Sequence, residues 1–218
     1  MTTLPLSPDE LLTTTRSVRK RLDLDRPVPE RLVRECLEIA LQAPSAGNDQ
    51  QWRWIVVTDP GKRAAIGRYY RRSYFEYAFA AASDSATAQD GAGAGDGDAE
   101  RRAASSAAYL AAHIAKVPVL VIPCIELSKG ELPEGNQASL WGSVLPAVWS
   151  YALAARSRGL GTAWTTLHLD YEEEVAELLG IPSGVRQGAL IPTAFYTGDT
   201  FKPASRLPLD DVLHWDSW

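Results

Sequence analysis

The apolar positions between Pro29 and Pro44 recur every three or four residues, as they do on one face of a helix. The positions that form this stripe are Leu32, Val33, Cys36, Leu37, Ala40 and Leu41. Proline suits the first turn of a helix but cannot continue one, so the pattern predicts a helix that Pro29 opens and Pro44 stops.

A capping box marks the start of an earlier helix. Ser7 and Glu10 have the spacing at which each side chain caps the main-chain N–H of the other, and Pro8 takes the first helical position. This helix is expected to run into residues 13–15, three threonines whose β-branching weakens it. It therefore places Arg16 at a helix end.

Stretches of β-branched and aromatic residues predict a few dispersed strands. These strands cover residues 52–58, 117–125, 187–198 and a stretch that follows residues 159–161 and runs through Leu167. Further helices are predicted over residues 62–82, 101–116, 141–158 and from a cap at Asp170 to Gly180. Because helices outnumber strands, we expect an α+β fold with helical layers on both faces of a small sheet.

Two segments carry little apolar material of their own. Residues 83–100 are mostly Ala, Gly and Asp with no bulky apolar side chain, so a mobile surface loop or lid is expected there. Residues 207–218 carry Trp215 and Trp218 with little core to join, so this C-terminal tail is expected to pack on a partner subunit. The length of residues 1–218 suits a single domain.

Composition narrows the class of protein. A net charge of −5 argues against general nucleic-acid binding, which needs a basic surface. The first twenty residues lack the apolar core of a signal peptide, and the longest apolar stretch, 141–155, is too short for a membrane helix. We therefore expect a cytoplasmic protein that does not engage a membrane. Its two cysteines, Cys36 and Cys124, are expected to be buried thiols.

Basic and small polar residues are concentrated in three short segments that are candidates for one anion-and-ring binding site. These candidates are Arg16, Ser17 and Arg19; then Pro44, Ser45 and Asn48; and finally Lys202 and Arg206. Guanidinium groups donate paired hydrogen bonds to phosphate, and a polar turn offers main-chain amides. Taken singly, each segment also has a plainer interpretation, as solvated charge at a helix end or as a self-bonded turn.

Motifs for side-chain catalysis are missing from the sequence. It has no Gly-x-Ser-x-Gly elbow, no Cys-x-x-Cys, no His-Glu-x-x-His and no phosphate loop. His113, His168 and His214 lack the spacing of metal ligands and are expected to be core or surface residues. The sequence therefore predicts neither a metal site nor a catalytic side chain.

Four motifs, in this order, resemble the nitroreductase family of flavoproteins. They are Arg-Ser-x-Arg from Arg16, Ala-Pro-Ser-Ala-Gly-Asn-x-Gln from Ala43, Leu-Ala-Ala-x-x-x-Gly-Leu-Gly-Thr-x-Trp from Leu153, and Lys-Pro-x-x-Arg-x-Pro-Leu from Lys202. The similarity spans roughly residues 11–215. It implies a homodimeric α+β sandwich, with a small and mainly antiparallel central sheet and FMN held at the subunit interface.

The resemblance also assigns roles to residues of this chain. Phosphate and ring-edge contacts would come from Arg16, Ser17 and Arg19, and further phosphate contacts from Lys202 and Arg206. The loop that reaches the flavin from the partner subunit corresponds to Pro44, Ser45 and Asn48. The segment beside the isoalloxazine ring corresponds to Leu160, Gly161 and Thr162.

The chain departs from the family pattern at three places. Gln51 stands where proline usually precedes the tryptophan, and Thr15 where a second arginine is common. Trp149 and Ser150 replace a common Gln-Asn pair in the long helix, which implies a reshaped substrate side of the pocket around Trp149.

By this resemblance the protein would be an FMN-dependent NAD(P)H oxidoreductase. Hydride would pass through flavin N5 to an electron-poor small molecule such as a nitroaromatic, a quinone or an activated enone. Two alternatives stay open. One is a flavin-dependent dehydrogenase, oxidase or flavin-degrading enzyme on the same fold; the other is a non-catalytic flavin-binding protein.

Overall fold

The computed structural model describes residues 3–87 and 97–218, arranged around a sheet of five strands. The strands are β1 (Trp52–Val57), β2 (Val119–Glu126), β3 (Leu160–Thr162), β4 (Val185–Gln187) and β5 (Ile191–Phe195). β2 pairs with β1 along one edge and with β5 and β4 in succession along the other, and β3 pairs with β5. Each of these pairings is antiparallel, which confirms the expected sheet.

Helices cover both faces of this sheet. They are α1 (Pro8–Thr14), α2 (Glu30–Ala40), α3 (Pro60–Thr87), α4 (Gly97–His113), α5 (Ala138–Ser157) and α6 (Glu172–Leu179). The core beneath α2 and α5 is separate from the core beneath α3 and α4. The α+β class with two helical layers is thereby confirmed.

Strand β2 shows why its sequence is apolar without interruption. Val119 and Val121 belong to the core beneath α5, whereas Leu120 and Ile122 belong to the core beneath α4. Successive side chains of a strand point to opposite faces, so a strand that is covered on both sides needs apolar residues at every position.

The N-terminal capping box forms as the sequence predicts. The Ser7 N–H donates to a Glu10 carboxylate oxygen at 2.8 Å, and the Glu10 N–H donates to the Ser7 hydroxyl at 3.2 Å. At the other end of α1, the hydroxyls of residues 13–15 donate to main-chain carbonyls four residues earlier. The helix stops at Thr14 and leaves Arg16 just beyond its end.

Two predicted strands are shorter in the structure. β3 ends at Thr162 instead of continuing through Leu167, where a 3-10 turn begins, and only Thr165 makes a further bridge, to Leu190. The strand predicted over 187–198 is divided into β4 and β5, because the Gly188 N–H turns to donate to the Pro123 carbonyl at 2.8 Å.

The predicted cap at Asp170 is wrong. Tyr171 occupies the N-cap position of α6, and no side chain caps that end. The Asp170 carboxylate instead accepts a hydrogen bond from the Ser73 hydroxyl of α3. Gly180 does end the helix, in the left-handed conformation, as expected.

The alanine-rich segment is more helical than expected. α3 continues to Thr87 and α4 begins at Gly97, so helices enter both ends of the loop predicted over 83–100. Alanine is the strongest helix former, so it extends a helix without apolar packing. The remainder of that predicted loop, 88–96, lies outside the described residues.

The C-terminal tail, residues 207–218, is exposed along its whole length. A single 3-10 turn, Leu209–Asp211, is its regular structure. Across the described ranges, no helix combines the length and apolar character that crossing a membrane requires.

Candidate functional site

A cavity of about 340 Å³ lies beside the basic segment that follows α1. The residues that line it are Arg16, Ser17, Val18, Arg19, Lys20, Arg21, Ser106, Thr200, Phe201 and Lys202. Half of these side chains are cationic, and no carboxylate occurs among these described residues. The first predicted segment and Lys202 of the third therefore meet in one electropositive cavity.

Strand β3 fixes the position of the basic segment. The Val18 N–H donates to the Thr162 carbonyl oxygen at 2.8 Å, and Ser17 forms a parallel bridge with Thr162. A Cβ at Gly161 would lie 3.0 Å from the Val18 side chain, tighter than an ordinary contact, so glycine favours the close approach. The segment that carries Arg16 and Arg19 thus extends the edge of the sheet.

The residues predicted beside a flavin ring are internal in a single chain. Leu160, Gly161 and Thr162 are all buried, and none of them lines the basic cavity. Thr162 and Gly161 contact the basic segment, at Ser17 and Val18. Gly161 is explained here by its packing against Val18. The structure therefore places Gly161 and Thr162 against the segment that lines the cavity.

The turn after α2 belongs to a different place in the chain. Ser45 lines a second cavity of about 220 Å³, which shares no lining residue with the basic cavity. The Ala46 N–H donates to the Ser143 hydroxyl of α5 at 3.0 Å and so anchors the turn. Pro44 and Asn48 are exposed and line neither cavity. Within one chain, then, this turn does not reach the basic cavity.

This turn has an unusual main-chain conformation. Asn48 and Gln50 have φ values of +56° and +52°, in the left-handed region that non-glycine residues rarely occupy. The Gln50 side-chain amide donates to the Asn48 side-chain oxygen at 3.3 Å. Such strain commonly marks a segment that binds something.

Two further candidates are exposed. Arg206 does not line the basic cavity, and its guanidinium donates to the neighbouring Ser205 carbonyl at 3.0 Å. Trp149 lies on α5 with 42% of its surface exposed. Neither residue is brought to the basic cavity within one chain.

Six residues that line the cavity were not among the sequence candidates: Val18, Lys20, Arg21, Ser106, Thr200 and Phe201. Lys20 and Arg21 continue the run of basic residues after Arg19, so the sequence could have indicated both as candidates. Ser106 sits within the Ala/Ser-rich α4, which offers no pattern that singles it out.

The two cysteines and His168 are buried outside the basic cavity. Cys36 and Cys124 are both buried and unpaired, as predicted, and burial raises the pKa values of their thiols to about 11 and about 12. His168 is fully buried, and burial lowers its pKa to about 4. None of these three residues lines the basic cavity.

The sequence profile described as the Nitroreductase family matches residues 12–193. The chain belongs to the nitroreductase family. A relative named NADH dehydrogenase, from Thermus thermophilus, is 33% identical over 208 residues, which cover 92% of this chain and 91% of that protein. A 4-nitrobenzoate reductase from Nocardioides sp. is 43% identical over 65 residues, or 28% of this chain and 26% of that protein.

Solved structures agree with this family assignment at the level of the fold. A crystal structure of oxidized iodotyrosine deiodinase bound to FMN and 3-iodo-L-tyrosine superposes with a TM-score of 0.69 at 21% identity. The match covers 96% of this chain and 99% of that one. The likeness shows the nitroreductase fold, and the family match supports a flavin-dependent oxidoreductase.

The donor set of the basic cavity fits the phosphate end of a flavin nucleotide. Arg16 and Arg19 offer guanidinium donors, Lys202 offers an ammonium group, and Ser17 adds a hydroxyl. Charge-assisted hydrogen bonds from such groups to phosphate are the stronger ones in proteins. The absence of a carboxylate among the described lining residues leaves these cations available to an anion.

Proposed function

We propose that this nitroreductase-family protein is an FMN-dependent oxidoreductase that uses NAD(P)H to reduce an electron-poor small molecule. The observation that carries the proposal is the convergence of Arg16, Arg19 and Lys202 on one cavity without a carboxylate among its described lining residues. A phosphate monoester is close to a dianion at neutral pH, so it matches this excess of positive charge.

Each residue of the site has a binding task in this proposal. Arg16, Arg19 and Lys202 neutralise the phosphate, and Ser17 donates a hydroxyl to it. Arg206, four residues after Lys202, joins them from the same segment. The main chain of β3, Leu160–Thr162, lies beside the ring. Bound FMN would supply the hydride transfer through its N5 atom, so no side-chain nucleophile is required.

A second copy of the chain completes the site in this proposal. Pro44, Ser45 and Asn48 would then reach the flavin from the partner subunit, because within one chain their turn lies away from the basic cavity. Exposed apolar surface supports a homodimer, since such surface usually marks an interface. It is found on α5 at Trp149 and on the tail at Leu207, Leu209, Val212, Leu213, Trp215 and Trp218.

The acceptor we propose is a nitroaromatic, a quinone or an activated enone. Trp149 presents an aromatic face on α5, where the family resemblance places the substrate side of the pocket. The partial match to a 4-nitrobenzoate reductase makes a nitrobenzoate the first compound to test. Since the binding sites need only water-borne ligands, we also propose a cytoplasmic location.

Anaerobic mixing tests this function. Protein loaded with FMN is mixed with NADH or NADPH, and the flavin absorbance at about 450 nm is followed, which is where an oxidised flavin cofactor absorbs. We expect bleaching by the nicotinamide and recovery after 4-nitrobenzoate or benzoquinone is added. An unbleached flavin would indicate a non-catalytic flavin-binding protein. Recovery with oxygen but with neither acceptor would indicate an oxidase.

A further inference from the structure

We infer that Arg21 and Arg156 are positioning residues that set Lys202 in the basic cavity by holding the preceding residue, Phe201. Arg21 lies outside the motifs that identify the family, and Arg156 occupies an unspecified position within the third of them. The inference rests on the proposed function, because it concerns how the same cavity binds a phosphate.

The Arg21 guanidinium donates hydrogen bonds to main-chain carbonyls of the segment just before Lys202. Its Nε donates to the Thr197 carbonyl at 2.6 Å, and its Nη1 donates to the Thr200 carbonyl at 2.8 Å. In return, the Thr197 N–H donates to the Arg21 carbonyl at 2.8 Å. Residues 197–200 therefore bend around one guanidinium group.

Gly198 shows how close this bend is. It has a φ of +76°, and a Cβ at this position would lie 2.8 Å from Nη2 of Arg21. A side chain at this position would strain the main chain and would require the guanidinium to shift. Glycine therefore allows the bend to approach Arg21 closely.

The ring of Phe201 is held by two cations and an aromatic edge. The guanidinium carbons of Arg21 and Arg156 lie over this ring at 4.2 Å and 4.7 Å from its centroid. Tyr196 meets the ring edge-on, with centroids 4.9 Å apart. Cation–π contacts of this kind are favourable, most of all away from water.

The burial of the Arg156 guanidinium carries a desolvation cost in free energy. Only 5% of it is exposed, its Nε has no hydrogen-bond partner in the described chain, and no described carboxylate pairs with it. Its one side-chain hydrogen bond runs from Nη1 to the Tyr196 hydroxyl at 2.5 Å. An apolar residue would fill such a site at lower cost, so stability alone does not explain this arginine.

The contacts that fix Phe201 also restrict Lys202. Phe201 and Lys202 are consecutive, and both line the basic cavity. A main chain that is fixed at Phe201 leaves less freedom to be lost when the Lys202 ammonium contacts a phosphate. Arg21 and Arg156 thus prepare the cavity for its anion.

A double-mutant cycle with Lys202 tests this inference. FMN dissociation constants are measured for the wild type, Arg21→Lys, Lys202→Ala and the double variant. Arg21→Lys keeps the charge but loses the fork to the two carbonyls, so we expect its affinity for FMN to fall about tenfold. With Lys202→Ala already present, the same change should alter the affinity by less than about twofold, since neighbours that act together are not additive.

Equal losses in both backgrounds would overturn the inference, because Arg21 would then act directly on the phosphate or on general stability. Phe201→Leu replaces Arg21→Lys in the same cycle if that variant does not fold, with the same outcomes expected. Arg26→Lys is the matched control, because Arg26 is exposed, lies 3.5 Å over the Phe195 ring and does not line the basic cavity. This variant should bind FMN as the wild type does. A wild type that does not bind FMN would contradict the proposed function instead.

Discussion

The main-chain N–H of Val18 donates to the carbonyl of Thr162 at 2.8 Å, and this hydrogen bond helps to join the basic segment to the sheet. Arg16 and Arg19 flank it on an element that would otherwise be a loop. The cations are therefore carried by the rigid sheet edge, where a binding group needs to be held if it is to act without reorganisation.

Substitution of Gly161 should loosen this contact. Gly161→Ala places a Cβ 3.0 Å from the Val18 side chain, so we expect a loss of about 1–3 kcal/mol in the free energy of unfolding, together with weaker FMN binding. Urea denaturation and FMN titration measure the two effects. Gly135→Ala is the control, because a Cβ there meets nothing within 4 Å. Equal stability of the two variants would count against the close packing.

Removal of a cavity cation should weaken binding specifically. Arg16→Ala, Arg19→Ala and Lys202→Ala should each raise the FMN dissociation constant by about tenfold to a hundredfold, because each removes a charge-assisted hydrogen bond. Fluorescence titration of the apoprotein at low and high salt measures the loss. Arg68→Ala, an exposed arginine of α3 outside the cavity, should have no effect. A comparable loss from Arg68→Ala would show that only general charge matters.

His168 should make stability depend on pH. Burial lowers its pKa to about 4 from the ordinary 6.5, so between these values the unfolded chain binds a proton that the folded chain does not. The free energy of unfolding should therefore fall as pH drops from about 6.5 to about 4, by up to about 3 kcal/mol.

Urea denaturation at several pH values measures this slope. His168→Leu should flatten it between about pH 5 and about pH 6.5, the upper part of that window, above most carboxyl titrations. His214→Ala, which changes an exposed histidine stacked on Trp218, should leave the slope as it is. An unchanged slope in His168→Leu would mean that His168 titrates alike in both states.

The tail should stabilise the proposed homodimer. Deletion of residues 207–218 removes six exposed apolar side chains but retains Lys202 and Arg206, so we expect a shift from twice the 23.8 kDa of one chain toward the monomer. Size-exclusion chromatography with light scattering measures this mass. Asp210→Asn with Asp211→Asn keeps the apolar side chains and should stay dimeric. A truncated chain that remains fully dimeric would remove the tail from the interface.

Local signals in the sequence predicted much of the fold. The capping box at Ser7 and the apolar stripe between Pro29 and Pro44 fixed two helices, since both depend on residues a few positions apart. The cap predicted at Asp170 was wrong because its carboxylate accepts a hydrogen bond from Ser73 of α3. Ser73 is distant in the sequence, so no local pattern reveals this partner.

The candidate site likewise contains residues that the sequence could indicate and residues that it could not. Arg16, Ser17, Arg19 and Lys202 meet in one cavity, as their motifs suggested. The contacts of Arg21 with Thr197 and Thr200 join residues far apart in the sequence, so they could be found only in three dimensions. The proposed roles of Pro44, Ser45, Asn48 and Arg206 require a second copy or a bound nucleotide, and a single sequence specifies neither.

The most direct test of the central claim compares FMN with riboflavin, which has the same ring but no phosphate, as ligands of the apoprotein. If the cavity of Arg16, Ser17, Arg19 and Lys202 holds the phosphate, FMN should bind at one per chain and about a hundredfold or more tighter than riboflavin. Equal affinity for the two flavins, or binding of neither, would contradict it.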